Sequence, residues 1–172
     1  MVRERTSGAI DMFRVSPIGT LELLVGKYVA YALLSVVVAA LVVAATAGLG
    51  IPFRGSALTF AVAGALLTFA SLGLGLLISL VSDSERQAVQ LSMLVLLFSV
   101  FFSGFVLEVA QLREPVRFLS YLLPVTYGIA VFQDVMLRGV LRDPGMLRSL
   151  ALIGAVLFLL SAARLRGVLR PA

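Results

Sequence analysis

The groups in this 172-residue chain that could exchange protons or attack an electrophile are nine Asp and Glu carboxylates, one lysine (Lys27) and scattered hydroxyls, because cysteine and histidine are both absent. That composition removes disulfides, thiol nucleophiles, zinc sites of the usual ligand types and every histidine-based triad or proton relay. Paired carboxylates do acid–base work only where they converge on a pocket. Glu108, Glu114 and Asp134 lie outside the long apolar blocks, and nothing in their spacing puts them on one helix face. A membrane-embedded hydrolase would be left with a Ser–Lys or Asp-type scheme, for which Lys27 sits at the wrong depth. No G-x-x-x-x-G-K-[ST] loop occurs, and Gly26-Lys27 is only a fragment of one. The chain therefore reads as a non-enzyme with no cofactor and no metal.

The elements around these groups are dictated by hydropathy. Hydrophobic residues make up 60% of the chain and charged residues 13%, with a mean hydropathy of +1.09, far more apolar than a soluble domain of this size can hide. No residue is charged from Tyr28 to Phe53 or from Gly55 to Ser82. Each block exceeds the ~20 helical residues that cross a hydrocarbon layer. Gly48, Gly50, Pro52 and Arg54 mark the turn between them. Ser84 followed by Gln87 reads as a capping box opening a third helix. The predicted fold is a single all-α, polytopic membrane bundle over 1–172, with spans at 21–49, 56–81, 87–107 and 145–165. Residues 113–140, with Pro124 inside a short apolar stretch, suit an outer re-entrant hairpin.

Charge sets the expected orientation. The first 27 residues are mixed and polar and do not read as a secretory signal, so insertion is expected to rely on the spans. With four crossings, the basic groups at the start (Arg3, Arg5, Arg14, Lys27) and at the end (Arg164, Arg166, Arg170) fall on one side. The positive-inside rule makes that side cytoplasmic, in a cell (inner or plasma) membrane. Arg113, Arg117, Arg138, Arg142 and Arg148 then lie on the outer side and weaken the bias. The net charge of +5 is not arranged as a basic stripe with interleaved aromatics, so it predicts contact with the bilayer and no nucleic acid.

Residues 2–16 are too polar to cross, yet Ile10, Met12, Phe13 and Val15 give them an apolar side. A short interfacial helix follows, with Ser16-Pro17 as a stop and restart leading into the first span. From the residues alone, such a helix is an anchor or a contact for a cytoplasmic partner. Arg3-Glu4-Arg5, Gly8-Ala9-Ile10-Asp11, Ser16-Pro17-Ile18, Glu22 and Gly26-Lys27 resemble the cytoplasmic signature of ABC-2 permeases, with Ala9 and Asp11 where that family usually has Thr and Glu. Ser103-Gly104-Phe105, Glu114-Pro115, Leu123-Pro124-Val125-Thr126-Tyr127 and Gly139 are similar to the outer hairpin before that family's last span. Glu108 stands where many members have proline.

The resemblance implies the membrane half of an ATP-driven exporter, working as a homodimer or a heterodimer with another permease chain. Its coupling helix, through Arg3, Glu4, Arg5, Gly8, Asp11, Met12, Phe13, Ser16 and Pro17, would dock on a separate ABC ATPase subunit. It also implies a hairpin built on Ser103, Gly104, Pro124 and Tyr127. Because members commonly have two spans before the coupling helix, it implies a truncated or split permease as well. Phe98, Phe101, Phe102 and Phe105, at three- and four-residue steps, form a candidate hydrophobic gate or an ordinary aromatic packing cluster. Small residues at Ala40, Ala44 and Gly48 and at Ser71, Gly75 and Ser79 predict close helix approach. An ion-coupled carrier is the sharper alternative, but the first three apolar blocks hold no ionisable residue of the kind such carriers bury. A non-transporting scaffold is another. The apolar walls lean towards multidrug or lipid export.

Overall fold

The computed structural model describes residues 19–50 and 54–169, and every described regular element is helical. In order these are α1 (Thr20–Gly48), α2 (Ala57–Val81), α3 (Glu85–Phe102), a 3-10 turn (Val109–Gln111), α4 (Val116–Tyr121), α5 (Pro124–Gln133), a π-helical turn (Asp134–Arg138) and α6 (Gly145–Leu169). Four of them are long and apolar enough to cross a membrane: Glu22–Gly48, Ala57–Val81, Glu85–Phe102 and Gly145–Gly167. Ala57–Val81 falls inside the charge-free block Gly55–Ser82 and Glu22–Gly48 holds most of Tyr28–Phe53, whereas the other two carry charged residues near their ends. The predicted interfacial helix at 2–16, with every coupling residue named from Arg3 to Pro17, lies outside the described residues.

Local chemistry sets the ends. Glu22 accepts from the Gly19 N–H at 3.1 Å, holding the first turn of α1. At α3, the Ser84 hydroxyl accepts from Gln87 N–H (3.2 Å), the N-cap half of the expected box, while the Gln87 side-chain oxygen accepts from Asp83 N–H (2.8 Å), one residue ahead of the N-cap, in place of the return bond to Ser84. Asp143 accepts from Gly145 N–H at 2.7 Å to open α6. The third span is shorter than expected, closing at Phe102 instead of continuing to Leu107. Gly104 takes a φ of +96°, which a continuing helix cannot contain.

The core follows α2 and α6, the most intimately packed pair. Their backbones approach at Gly73, where an added Cβ would lie 2.9 Å from Leu157 Cβ, and at Gly154, where it would lie 2.8 Å from the Phe69 ring. Ser161 donates to the Gly73 carbonyl at 3.2 Å across the seam. The stripe predicted for α2, Ser71–Gly75–Ser79, is not this seam: Gly75 has nothing within 4 Å of an added Cβ, and the buried face runs instead through Ala63, Ala70, Gly73, Leu76 and Leu80. In an evenly apolar helix, hydrophobicity does not say which face meets protein and which meets lipid. Helix α1 touches the bundle at one end, where Leu24 and Tyr28 pack with Leu76, Leu80, Ala162 and Leu165. The start of α1 and the end of α6 therefore share one end of the bundle. From Val36 to Ala45 every residue of α1 is exposed, the Ala40–Ala44 stripe included.

Candidate functional site

The candidate site is the end of the bundle away from the start of α1 and the end of α6, where α4 leads into α5, and α5 and the π turn pack against α2 and α6. Ser120, buried at the end of α4, and Leu123 flank the bend into α5. Pro124, with its fixed φ and no N–H to satisfy, takes a first-turn position of α5. The bend frees the last carbonyls of α4, and α5 supplies their partners. Thr126 hydroxyl donates to Ser120 O at 2.6 Å, and Tyr127 hydroxyl donates to Tyr121 O at 3.0 Å. Burial, with Tyr121 beside it, raises Tyr127 above the usual phenol range, so it stays a neutral donor. The result is a stapled elbow in the middle of the segment predicted as a hairpin.

Beyond the elbow, Ala63 of α2 packs with Val131 of α5 and Val135 of the π turn, and Gly128 leaves room for Leu67, whose Cδ2 would lie 2.7 Å from an added Cβ. The chain then takes the π turn, which ends at Gly139 with φ +80°. Asp134 is buried in this turn and is its organising group. One carboxylate oxygen accepts from the Arg138 guanidinium and the other from Arg142 N–H at 3.2 Å. The loop between α1 and α2 docks onto the same turn, with Arg54 N–H donating to Met136 O at 3.4 Å and Gly55 lying flat on the Val135 carbonyl.

The residues singled out from sequence are only partly brought together. Pro124 and Tyr127 form the elbow. Ser103 is buried with no partner for its hydroxyl among the described residues, and Gly104 supplies the turn that ends α3. Phe98 and Phe102 pair with ring centroids 4.7 Å apart, whereas Phe101 and Phe105 point outward and are exposed. Four rings on one shared face do not occur; the i,i+4 pair does.

Sequence marks Asp134 as one of three dispersed carboxylates and Arg138 only as an outer-side charge, although their i,i+4 spacing is the visible signal of the pair. A second missed group is the aromatic knot of Tyr28, Phe69 and Phe158, with rings 5.2 to 5.8 Å apart and the Tyr28 hydroxyl inside it without a partner among the described residues. Nothing in the linear spacing of those three residues announces it.

Because Asp134 serves a guanidinium and a backbone N–H at once, its removal strands both. Asp134→Ala is expected to lower stability by about 2 kcal/mol, with Asp134→Asn recovering part of that. Thermal unfolding followed by circular dichroism in mild detergent checks this. Equal midpoints for Ala and wild type would mean that the carboxylate does not hold the turn.

Residues 1–163 match the profile of a family described as ABC-2 family transporter protein. The chain is 28% identical over 165 residues to the "Probable multidrug ABC transporter permease YbhS" of Escherichia coli K12, covering 95% of this chain and 42% of that one. It is 28% identical over 171 residues to the "Inner membrane transport permease YhhJ" of the same strain, covering 96% and 46%. It is 29% identical over 140 residues to "ABC transporter G family member 20" of Dictyostelium discoideum, covering 81% and 19%. The chain thus spans less than half the length of these relatives. No solved structure matches it.

Proposed function

The chain belongs to the ABC-2 family of transporter proteins, and from that premise we propose that it is the transmembrane part of an ATP-binding cassette exporter, driven by an ATPase on a separate chain. The observation that carries this reading is the extent of the match. It begins in the polar segment ahead of α1, crosses the elbow and π turn, and reaches into α6, so it includes both the expected docking segment and the membrane bundle. Four apolar helices make it a multi-pass membrane protein. In the proposed arrangement the end shared by the start of α1 and the end of α6 faces the cytoplasm of a cell membrane, and the elbow faces outward as a re-entrant hairpin. Residues 2–16 carry the ATPase contact. The permease acts as a dimer, and lipophilic cargo passes apolar walls to which the Phe98–Phe102 pair contributes.

Physically, the ATPase must move something stiff. Leu24 and Tyr28 lock the first turns of α1 to α2 and α6, so a push delivered just before Gly19 reaches packed helices and is not absorbed by a loop. A Cys introduced at Met12 tests this cleanly, since the chain has no cysteine of its own. In membranes holding the candidate ATPase, Met12→Cys is expected to cross-link to it, with an efficiency that changes at least about threefold between nucleotide-free and ATP-bound states. Absence of any cross-link in either state, with the ATPase bound, would remove the coupling role from this segment.

A further inference from the structure

Arginines at the elbow end of the bundle run against the proposed orientation, since the positive-inside rule places basic residues on the cytoplasmic side. The fold gathers three of them. An added Cβ on Gly139 would lie 3.4 Å from Arg54 Cβ, so Arg54 lies beside Gly139, which follows Arg138 in the chain. Asp134 ties Arg138 and the backbone of Arg142 into the same turn. The two acids of this segment are already engaged, Asp134 as described and Asp143 on the first N–H of α6 at 2.7 Å. Arg54 and Arg142 are exposed, and among the described residues neither guanidinium has an ion pair. The knot sits where α1 has ended and α2 begins, at the end of two span-length helices. Around it Leu58, Leu137 and Val140 are exposed, at 74%, 58% and 66%.

Unpaired guanidiniums beside exposed aliphatic side chains at a span boundary match one chemistry, a phosphate diester carrying acyl chains. We propose that this knot binds an anionic glycerophospholipid of the surrounding leaflet. Arg54 and Arg142 hold the headgroup phosphate, with Arg138 alongside, and the acyl chains lie against Leu58, Leu137 and Val140. A free phosphate would meet the arginines but gain nothing from the apolar fringe. The site stands on the membrane residence of the chain and not on its transport of any cargo.

The test is binding of fluorescent phosphatidylglycerol to the purified full chain in zwitterionic nanodiscs, with labelled phosphatidylcholine as reference. Wild type is expected to prefer phosphatidylglycerol. Each arginine near a lipid surface contributes on the order of fivefold, so Arg54→Gln with Arg142→Gln should weaken that binding roughly 20- to 30-fold. Arg164→Gln with Arg166→Gln removes the same charge at the opposite end and should change it less than about twofold. Equal losses from the two pairs, no preference over phosphatidylcholine, or displacement of the labelled lipid by an equal concentration of inorganic phosphate would each overturn the proposal. Unfolding midpoints without anionic lipid show whether the first pair folds. If it does not, Leu137→Ser with Val140→Ser should still weaken phosphatidylglycerol binding several-fold, and unchanged binding there overturns the proposal equally.

Discussion

Valine at position 55 is expected to lower the stability of the bundle by at least about 3 kcal/mol, the largest loss of any single change considered for this chain. A Cβ on Gly55 would overlap the Val135 carbonyl oxygen and lie 2.7 Å from Val135 Cγ1 and 3.0 Å from the Val135 carbonyl carbon. Two of these three neighbours are backbone, so no rotamer change relieves them. The loop must lift away, taking with it the Arg54–Met136 hydrogen bond and uncovering Val135, which is nearly fully buried. At roughly 2–4 °C per kcal/mol for a chain of this size, the unfolding midpoint should fall by about 10 °C. Gly75→Val is the matched control, because nothing lies within 4 Å of its added Cβ. Equal losses at the two positions would show that the close approach to Val135 is not what position 55 depends on.

The second large effect lies at the opposite end, where α1, α2 and α6 meet. A Cβ on Gly73 would come 2.8 Å from the Tyr28 hydroxyl and 2.9 Å from Leu157 Cβ. Gly73→Ala is expected to cost about 2–3 kcal/mol through overpacking. Tyr28→Phe alone should raise stability by about 1 kcal/mol, because it deletes a buried hydroxyl that has no partner among the described residues. In the double variant, loss of the Tyr28 hydroxyl relieves one of the two clashes, so the pair should show a coupling energy of about 1 kcal/mol. Strict additivity in thermal or denaturant unfolding would mean that Gly73 and Tyr28 do not share the space described here.

The spans were legible because a charge-free block has few other fates, and α1 and α2 cover most of the charge-free stretches Tyr28–Phe53 and Gly55–Ser82. The cap at Ser84 was legible because its chemistry is local. What stayed hidden depends on contacts between residues distant in the chain. Gly55 reads as an ordinary turn glycine until Val135 is seen lying on it, and Asp134 reads as a polar flank until the π turn brings Arg138 and Arg142 to its two oxygens. The small residues misled in α2 for a related reason. Ser71, Gly75 and Ser79 satisfy the same spacing rule as a packing seam, and the face actually used mixes Ala70 and Gly73 with Leu76 and Leu80. The end of α3 turned on Gly104, whose positive φ is not written in its residue type.

The lopsided attachment of α1 has a mechanical consequence. Packed at Leu24 and Tyr28 and exposed along Val36–Ala45, the helix can tilt about a point near one end of the bundle. The arm from Tyr28 to Gly48 is about 30 Å long at the usual helical rise. A tilt of about 10° about that point therefore sweeps Gly48 through roughly 5 Å. Arg54–Gly55 is clamped on the π turn. Residues 49–53 must span whatever distance the swing opens, so their length limits the stroke.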